Sequence, residues 1–396
     1  MMLGFLLARM GVDVVVLEKH SDFLRDFRGD TIHPSTLELM YELGVLQEFL
    51  KRPHQELTEL GAQIGGKTVK IGDFTHLPTH CKFLGLMPQW DFLNFIAEQG
   101  RRYPGFQVKM RTEATGLIEQ NGRLVGVRAK TAEGELEIRA ALTVGADGRS
   151  SVIRESAGLQ VINLGAPMDV LWLRMSRGPN DPAQTLGLAA PGKIFIMIDR
   201  EQYWQCGLVI AKGGFEAIRA KGIEQFREDL AALAPFLRDR LLGDHNAELR
   251  DWKDVSLLTV KVDHLREWSR PGLLCIGDAA HAMSPIGGVG INLAIQDAVA
   301  TANILGAKIG AGTLADSDLA AVQRRRTFPT RATQRLQLLI QNRIIERVLK
   351  TAQPLTVPWP LKLMQQWPIL RRIPARIVGI GFRPEHIRTP DILSAH

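Results

Sequence analysis

Asp278 lies in the stretch best suited to chemistry, LLCIGDAAHAMSPIGGVGINLAIQDAV at 273–299. The apolar run before it reads as a buried strand ending at Gly277, which presents Asp278 at the strand's carboxyl end. Ala279 and Ala280 are small enough to let another group approach. Pro285 with Gly287, Gly288 and Gly290 makes a loop nearly bare of side chains, and a helix follows from about Ile291 and Asn292. A flat ring can lie against such backbone, and the unpaired N–H groups of the helix start favour negative charge. A second stretch, TVGADGRSSVIRE at 143–155, delivers Gly145, Ala146, Asp147 and Gly148 to a turn that Ser150 or Ser151 converts into a helix. Asp147 then stands beside an anion site made of helix N–H groups. In a third, GVDVVVLEK at 11–19, a β-branched strand closes on Glu18. An acid there is the residue type that accepts hydrogen bonds from a ribose in a dinucleotide-binding unit. Arg28, in FRGDTIHPSTLELM, is the nearby cation able to reach a pyrophosphate.

The elements that must position these groups follow from periodicity. Met1–Met10 is an apolar helix, and Val12–Leu17 is a strand suited to a parallel sheet covered on both faces. Residues 33–51 read as an amphipathic helix pair, capped by Ser35 or Thr36 with Glu38 in range of a capping box. A helix begins near Asp91, and residues 106–144 alternate like antiparallel strands with hairpin turns at 121 and 133. Between about 165 and 265 the strands lengthen around one helical piece, 223–241, which suggests a second, sheet-based domain. Residues from 324 to 350 continue helical, and 353–396 is rich in Pro, Trp and Arg without a clear period.

Composition narrows the class. The chain has 396 residues, 45% apolar and 23% charged, which suits one large or two intimate globular domains. Cys81, Cys206 and Cys275 are far apart and form no CxxC pair, so no disulfide framework or metal site is expected and a reducing cytoplasm fits. The net charge of +7 suits anionic cofactors or an anionic surface. No basic run is interleaved with aromatics, so nucleic acid is not expected as a partner. The apolar start lacks a basic n-region, and Arg9 interrupts it too early for a signal peptide. No segment reaches the roughly 18 apolar residues a spanning helix needs.

Taken in order, these motifs resemble the class A flavoprotein monooxygenases, the aromatic-ring hydroxylase family with the p-hydroxybenzoate hydroxylase type of fold, from residue 1 to about 345. GADGRSSVIRE matches that family's DG motif, and CIGDAAHAMSPIGGVGINLAIQDA its GD motif. The resemblance implies an α/β fold: a Rossmann-like FAD-binding domain (1–70, 91–164 and 266–345) interleaved with an antiparallel-sheet substrate domain (71–90 and 165–265), and a helical, Pro-rich tail (346–396). It implies FAD with Glu18 on the adenosine ribose, Arg28 near the pyrophosphate, Gln89 touching the flavin and Asp278, after Gly277, on the ribityl hydroxyls. Pro285 would lie beside the isoalloxazine ring, and backbone around Gly287, Gly288, Gly290, Ile291 and Asn292 would face its pyrimidine edge. Asp147 and Arg154 would serve both flavin and nicotinamide. His281 is expected as a structural neighbour of the loop rather than a base.

The implied activity is that of an oxidoreductase: NAD(P)H reduces FAD, O2 adds to give a C4a-hydroperoxide, and the distal oxygen passes to an electron-rich substrate. The middle sheet should wall a large apolar pocket, with Trp172, Arg174, Tyr203, Trp204 and Gln205 as lining candidates for an aromatic, polyketide or quinone-like substrate. Alternation allows only some of these to face inward. No catalytic acid–base residue is assigned. Halogenases and prenyl-chain reductases share the scaffold, but their WxWxIP and YxWxFP motifs are absent. The family's first strand and GxGxxG turn have no counterpart ahead of MLGFLLARMG. A late-assigned start is the expected reason, a real truncation with a flavin-free binding role the alternative. The tail is expected to pack over the substrate domain, and its basic amphipathic character also suits peripheral contact with a membrane.

Overall fold

The computed structural model describes residues 1–24, 31–182, 186–243 and 247–394. Two sheet systems share the chain. The first is built from short parallel pairs. Val14–Leu17 runs parallel to Phe106–Lys109. Thr143–Gly145 runs parallel to Leu273–Cys275, which also pairs antiparallel with Ser269–Arg270. The helices Met2–Arg9, Gln89–Gly100 and Val289–Gly310 enclose a core of Phe5, Leu6, Phe95, Leu274, Val299 and Leu305. Two glycines permit this packing. A Cβ on Gly4 would stand 2.7 Å from Val16 Cγ2, and one on Gly306 would stand 2.5 Å from Met10 Sδ. The strands at 106–109 and 143–145, expected as antiparallel, are parallel instead. Short buried runs carry no signal of strand direction.

A three-stranded antiparallel ribbon, Glu113–Gln120, Arg123–Thr131 and Gly134–Arg139, projects from this system. Its first turn holds Asn121 and Gly122 at φ of 51° and 76°, the hairpin chemistry legible in the sequence.

The second system is a seven-stranded sheet ordered Val255–Leu258, Met168–Ser176, Tyr203–Ala211, Lys193–Asp199, Leu186–Ala190, Glu59–Ile64, Lys67–Asp73. Leu171, Leu173, Trp204, Cys206 and Phe195 form one face and pack under helix Ile223–Leu233 and the helical turns after it. The opposite face, with Val170, Trp172 and Val209, meets Ile286 and Leu338. The hairpin at 59–73 therefore belongs to this sheet, so the expected boundary at residue 70 falls inside a strand. Leu84–Leu86, assigned to the substrate domain, pairs instead with Thr31–Ile32 and Gln55–Leu57. An alternating hairpin does not announce which sheet it will join.

The boundary at 345 also falls inside structure. Helix Asp316–Ile340 passes through a π turn, Gln341–Ile345, into Glu346–Lys350.

Candidate functional site

The parallel pairing of 143–145 with 273–275 sets the ends of two strands side by side, and the Ile276 N–H donates to Gly145 O at 3.0 Å. The chain leaves the second strand through Gly277 at φ 59°, where a Cβ would come within 3.0 Å of Ala294 Cβ. This turn presents Asp278, whose side chain keeps 29% of its exposure. A guanidinium not foreseen from sequence faces it: Arg149 Nη2 lies 3.5 Å from Asp278 Oδ2. Arg149 Nη1 is buried with no hydrogen-bond partner among the described residues.

Asp147 does a local job. Its carboxylate accepts from the Ser151 hydroxyl and from the Ile153 N–H, while Ser151 Oγ accepts from the Arg154 N–H. Ser151 is thereby the cap of the short helix Val152–Ser156, and Asp147 adds a second acceptor to its first turn. Arg154 is buried and braces both turns, donating to Arg149 O at 2.6 Å and Ala279 O at 3.3 Å beside Asp263.

The loop from 281 to 288 is held from behind by three glutamines of one helix face. Gln334 Nε2 donates to Asp263 O and Ala282 O. Gln337 donates to Ser284 O and Ile286 O, both at 2.9 Å, and accepts from the Ser284 N–H. Gln341 donates to Ser284 Oγ at 2.6 Å. Sequence reading missed this ladder, although glutamines at i, i+3 and i+7 share a face. Pro285, Gly287, Gly288, Gly290 and Ile291 keep solvent access.

Gly288 adopts the left-handed conformation and caps the 22-residue helix Val289–Gly310 with no side-chain hydrogen bond, so the first N–H groups have no side-chain acceptor. Asn292 is a staple. Its Oδ1 accepts from the His33 N–H at 2.9 Å and the Thr36 hydroxyl at 2.8 Å, and its Nδ2 donates to Thr31 O and Gly288 O. Thr36 thus serves Asn292 rather than capping its own helix; neither it nor Ser35 is the cap, which is His33 with no side-chain bond.

Beneath the loop lies a buried ion network. Asp297 accepts from the Gly277 N–H, from Arg326 Nε at 2.8 Å and from His281 Nε2 at 2.5 Å. Burial alone would raise its carboxyl, but His281 and Arg326 outweigh that and hold it below the usual carboxylate range. His33, also buried, is pushed down to about 4 by desolvation, against the opposing hydrogen bonds to Val378 and Gly287 backbone. A cavity of ≈ 80 Å³ lies behind the loop, lined by His33, Asn292, Gln296, Arg326, Val378 and Phe382. Ile286, Gly287 and Val289 of the loop also line it.

Glu18 sits where expected, at the end of Val14–Leu17, with Oε1 accepting from the His20 N–H at 3.0 Å. Gln89 opens the helix Gln89–Gly100. Arg28 lies outside the described residues. On the seven-stranded sheet, Trp172, Arg174, Tyr203 and Gln205 share one face through the pairings Trp172–Gly207, Arg174–Gln205 and Ser176–Tyr203. The Arg174 guanidinium lies 3.8 Å from the Tyr203 ring centre. Trp204 points the other way. It is fully buried under the helices and donates Nε1–H to Asp181 at 2.7 Å, so it is core and not pocket. Period-two alternation forces this split between neighbours.

A family model described as FAD binding domain matches residues 1–336. The 6-methylpretetramide 4-monooxygenase of Streptomyces rimosus is 31% identical over 94% of this chain and 88% of its own length. The chain belongs to the class A FAD-dependent monooxygenases. It is accordingly an oxidoreductase and a flavoprotein. Among solved structures, the OxyS anhydrotetracycline hydroxylase of Streptomyces rimosus shares the fold with a TM-score of 0.72 at 21% identity, over 96% of this chain and 73% of that one. The myxobacterial chondrochloren halogenase CndH shares it with a TM-score of 0.73 at 18% identity, over 98% of this chain and 91% of that one. Among the described residues no group of His, Cys, Asp and Glu could hold a metal ion, and no helix is long and apolar enough to cross a membrane.

Proposed function

We propose that this monooxygenase hydroxylates a large, electron-rich polycyclic aromatic of polyketide type, drawing electrons from NAD(P)H and its oxygen atom from O2. The observation that carries this reading is the match to 6-methylpretetramide 4-monooxygenase along nearly the whole of both chains. The halogenase neighbour shares the fold at lower identity, and the halogenase motif is absent from the sequence.

The residues present suit FAD. Gly287, Gly288 and Gly290 put no side chain of their own on the loop, with Thr31 packed against Gly288, and the start of Val289–Gly310, which carries no side-chain cap, suits the negative edge of a flat ring. Bound FAD supplies the electron transfer and oxygen activation that no side chain can. Asp278, which pairs with Arg149, would accept hydrogen bonds from the ribityl hydroxyls, and Glu18 would accept from the adenosine ribose. Gln89 and Pro285 would border the ring, and the N–H groups from Val289 to Ile291, at the start of the helix, would donate to it. Asp147 and Arg154 act by positioning, since both are committed to the turns they brace. Trp172, Arg174, Tyr203 and Gln205 form the substrate wall, with the Arg174–Tyr203 stack presenting a cation and a π face to a phenolic or enolic ring. Three free, buried cysteines suit a reducing cytoplasm.

The test is oxygen consumption by the FAD-loaded protein with NADPH or NADH and a panel of phenols, read with isotopically labelled O2. Label in a hydroxylated tetracyclic phenol is expected. Turnover of small hydroxybenzoates alone would overturn the substrate class, and a halide-dependent product would overturn the reaction.

A further inference from the structure

The C-terminal layer has an inner side explained by what it covers and an outer side that is not. Strand Lys67–Asp73 is the last of the seven-stranded sheet, so its outer edge lacks a strand partner. Three short helices, Trp359–Gln366, Pro368–Arg371 and Arg372–Gly379, pack on it. Gln365 reads the edge as another strand would: Nε2 donates to Lys70 O at 2.7 Å and Oε1 accepts from the Lys70 N–H at 3.2 Å. Ala375 is fully buried near Gly72, and Gly379 fits between Phe74 and Leu77. Arg371 is spent internally, donating to Met364 O at 2.9 Å.

The other side carries Trp359, Trp367, Ile369 and Ile373, exposed by 75, 59, 63 and 57%. Lys362, Arg372 and Arg376 stand exposed among them. No Asp or Glu occurs anywhere from 351 to 384. Single exposed apolar residues are ordinary, but a cluster of this kind marks an interaction surface. Two copies of this face would oppose cation to cation, which disfavours an isologous dimer. Arg372 lies within electrostatic reach of Asp73 on the covered strand, yet the layer itself brings no acid to its cations, and indole rings and branched aliphatics among them match the headgroup zone of an anionic bilayer, where tryptophan settles at the interface and basic side chains meet lipid phosphates.

We propose that this layer docks the enzyme on an anionic phospholipid surface, with Trp359, Trp367, Ile369 and Ile373 entering the headgroup region and Lys362, Arg372 and Arg376 pairing with phosphates. The contact is peripheral and independent of which substrate the enzyme takes. It would place the enzyme beside the phase into which apolar polycyclic compounds partition.

The full-length, FAD-loaded protein is to be sedimented with vesicles of phosphatidylcholine alone and of phosphatidylcholine mixed with phosphatidylglycerol. Binding only to the mixed vesicles is expected, weakening as salt is raised. The pair Arg372→Gln and Arg376→Gln should weaken it about thirtyfold, at roughly 1 kcal/mol per charge. The pair Trp359→Ser and Trp367→Ser should weaken it and reduce the blue shift of tryptophan emission on the vesicles. Circular dichroism confirms that each variant is folded, and the arginine pair stands alone if the tryptophan pair is not. Absence of vesicle binding, equal binding to neutral vesicles, or indifference to the arginine pair overturns the proposal. So does a concentration-dependent dimer that the tryptophan pair abolishes, which would give the face to a second copy.

Discussion

Asp278 and Arg149 face each other across the two turns at 3.5 Å, and neither is fully buried. In the proposed site the carboxylate accepts charge-assisted hydrogen bonds, each contributing about 1.5–3 kcal/mol. Asp278→Asn should therefore weaken FAD binding by about ten- to a hundredfold, read by quenching of flavin fluorescence, with little change in the unfolding midpoint of the apoprotein. His33 gives a pH dependence of stability. Its Nδ1 lies 2.7 Å from Val378 O, and burial pushes its pKa from 6.5 to about 4. A base with a lowered folded pKa binds fewer protons folded than unfolded between those values, so stability falls as pH drops through that window. The loss attributable to His33 is about 3 kcal/mol at most. Urea titrations at several pH values should show it, and His33→Asn should flatten the slope by about one proton.

At the scale of the element, the GD loop shows what was legible in the sequence and what was not. Its strand, Asp278, its glycines and the following helix could all be read from residue types, because apolar runs and glycine clusters act locally. The glutamine ladder could not, because its partners lie more than 50 residues away. Trp204 and Trp172 looked equivalent until register placed them on opposite faces. The hairpin at 59–73 joins its sheet through only two parallel pairs, Gln63 with Leu188 and Ile64 with Ala189. Loop position is thus set by a distant helix, and Gln337 is its most connected residue. Gln337→Leu leaves the Ser284 N–H and the Ser284 and Ile286 carbonyls without their partner. The expected cost is about 2–3 kcal/mol in urea unfolding, since unmet buried groups carry their full desolvation penalty. FAD affinity should fall with it if the loop backbone holds the ring. A variant that loses stability but retains affinity would show that the ladder supports the fold alone.

Across the whole molecule, the residues after 346 are not an appendage to a finished core. Glu385 has a side chain only 4% exposed, and it takes Arg325 Nε at 2.6 Å and Arg326 Nη1 at 3.2 Å. Arg326 in turn holds Asp297, which holds the Gly277 N–H at the head of the GD loop. Farther on, Arg9 donates to Thr389 O at 2.6 Å and Pro390 O at 2.9 Å, and Tyr103 reaches Asp391 at 3.0 Å. The end of the chain is thus tied to its first helix and to the loop at once. Within this network Arg325 and Arg326 share the Glu385 carboxylate while Arg326 also holds Asp297, so neutralising Glu385 leaves two guanidiniums to one carboxylate. Breaking a buried ion pair from one side costs about 3–5 kcal/mol. Glu385→Gln should lower the unfolding free energy by an amount of that order, while Glu346→Gln, which removes only a surface i,i+4 pair with Lys350 on the adjoining helix, should do almost nothing. Asp297 adds an acid limit. Its lowered folded pKa means that its contribution is present above the ordinary carboxylate range and is lost as pH falls through the lowered value. Acid unfolding below about pH 4 should therefore begin at this network. Hydrogen exchange at Gly277 and along Val289–Gly310 should report it before exchange in the seven-stranded sheet does. Earlier exchange in that sheet would place the weak point of the molecule in the substrate wall instead.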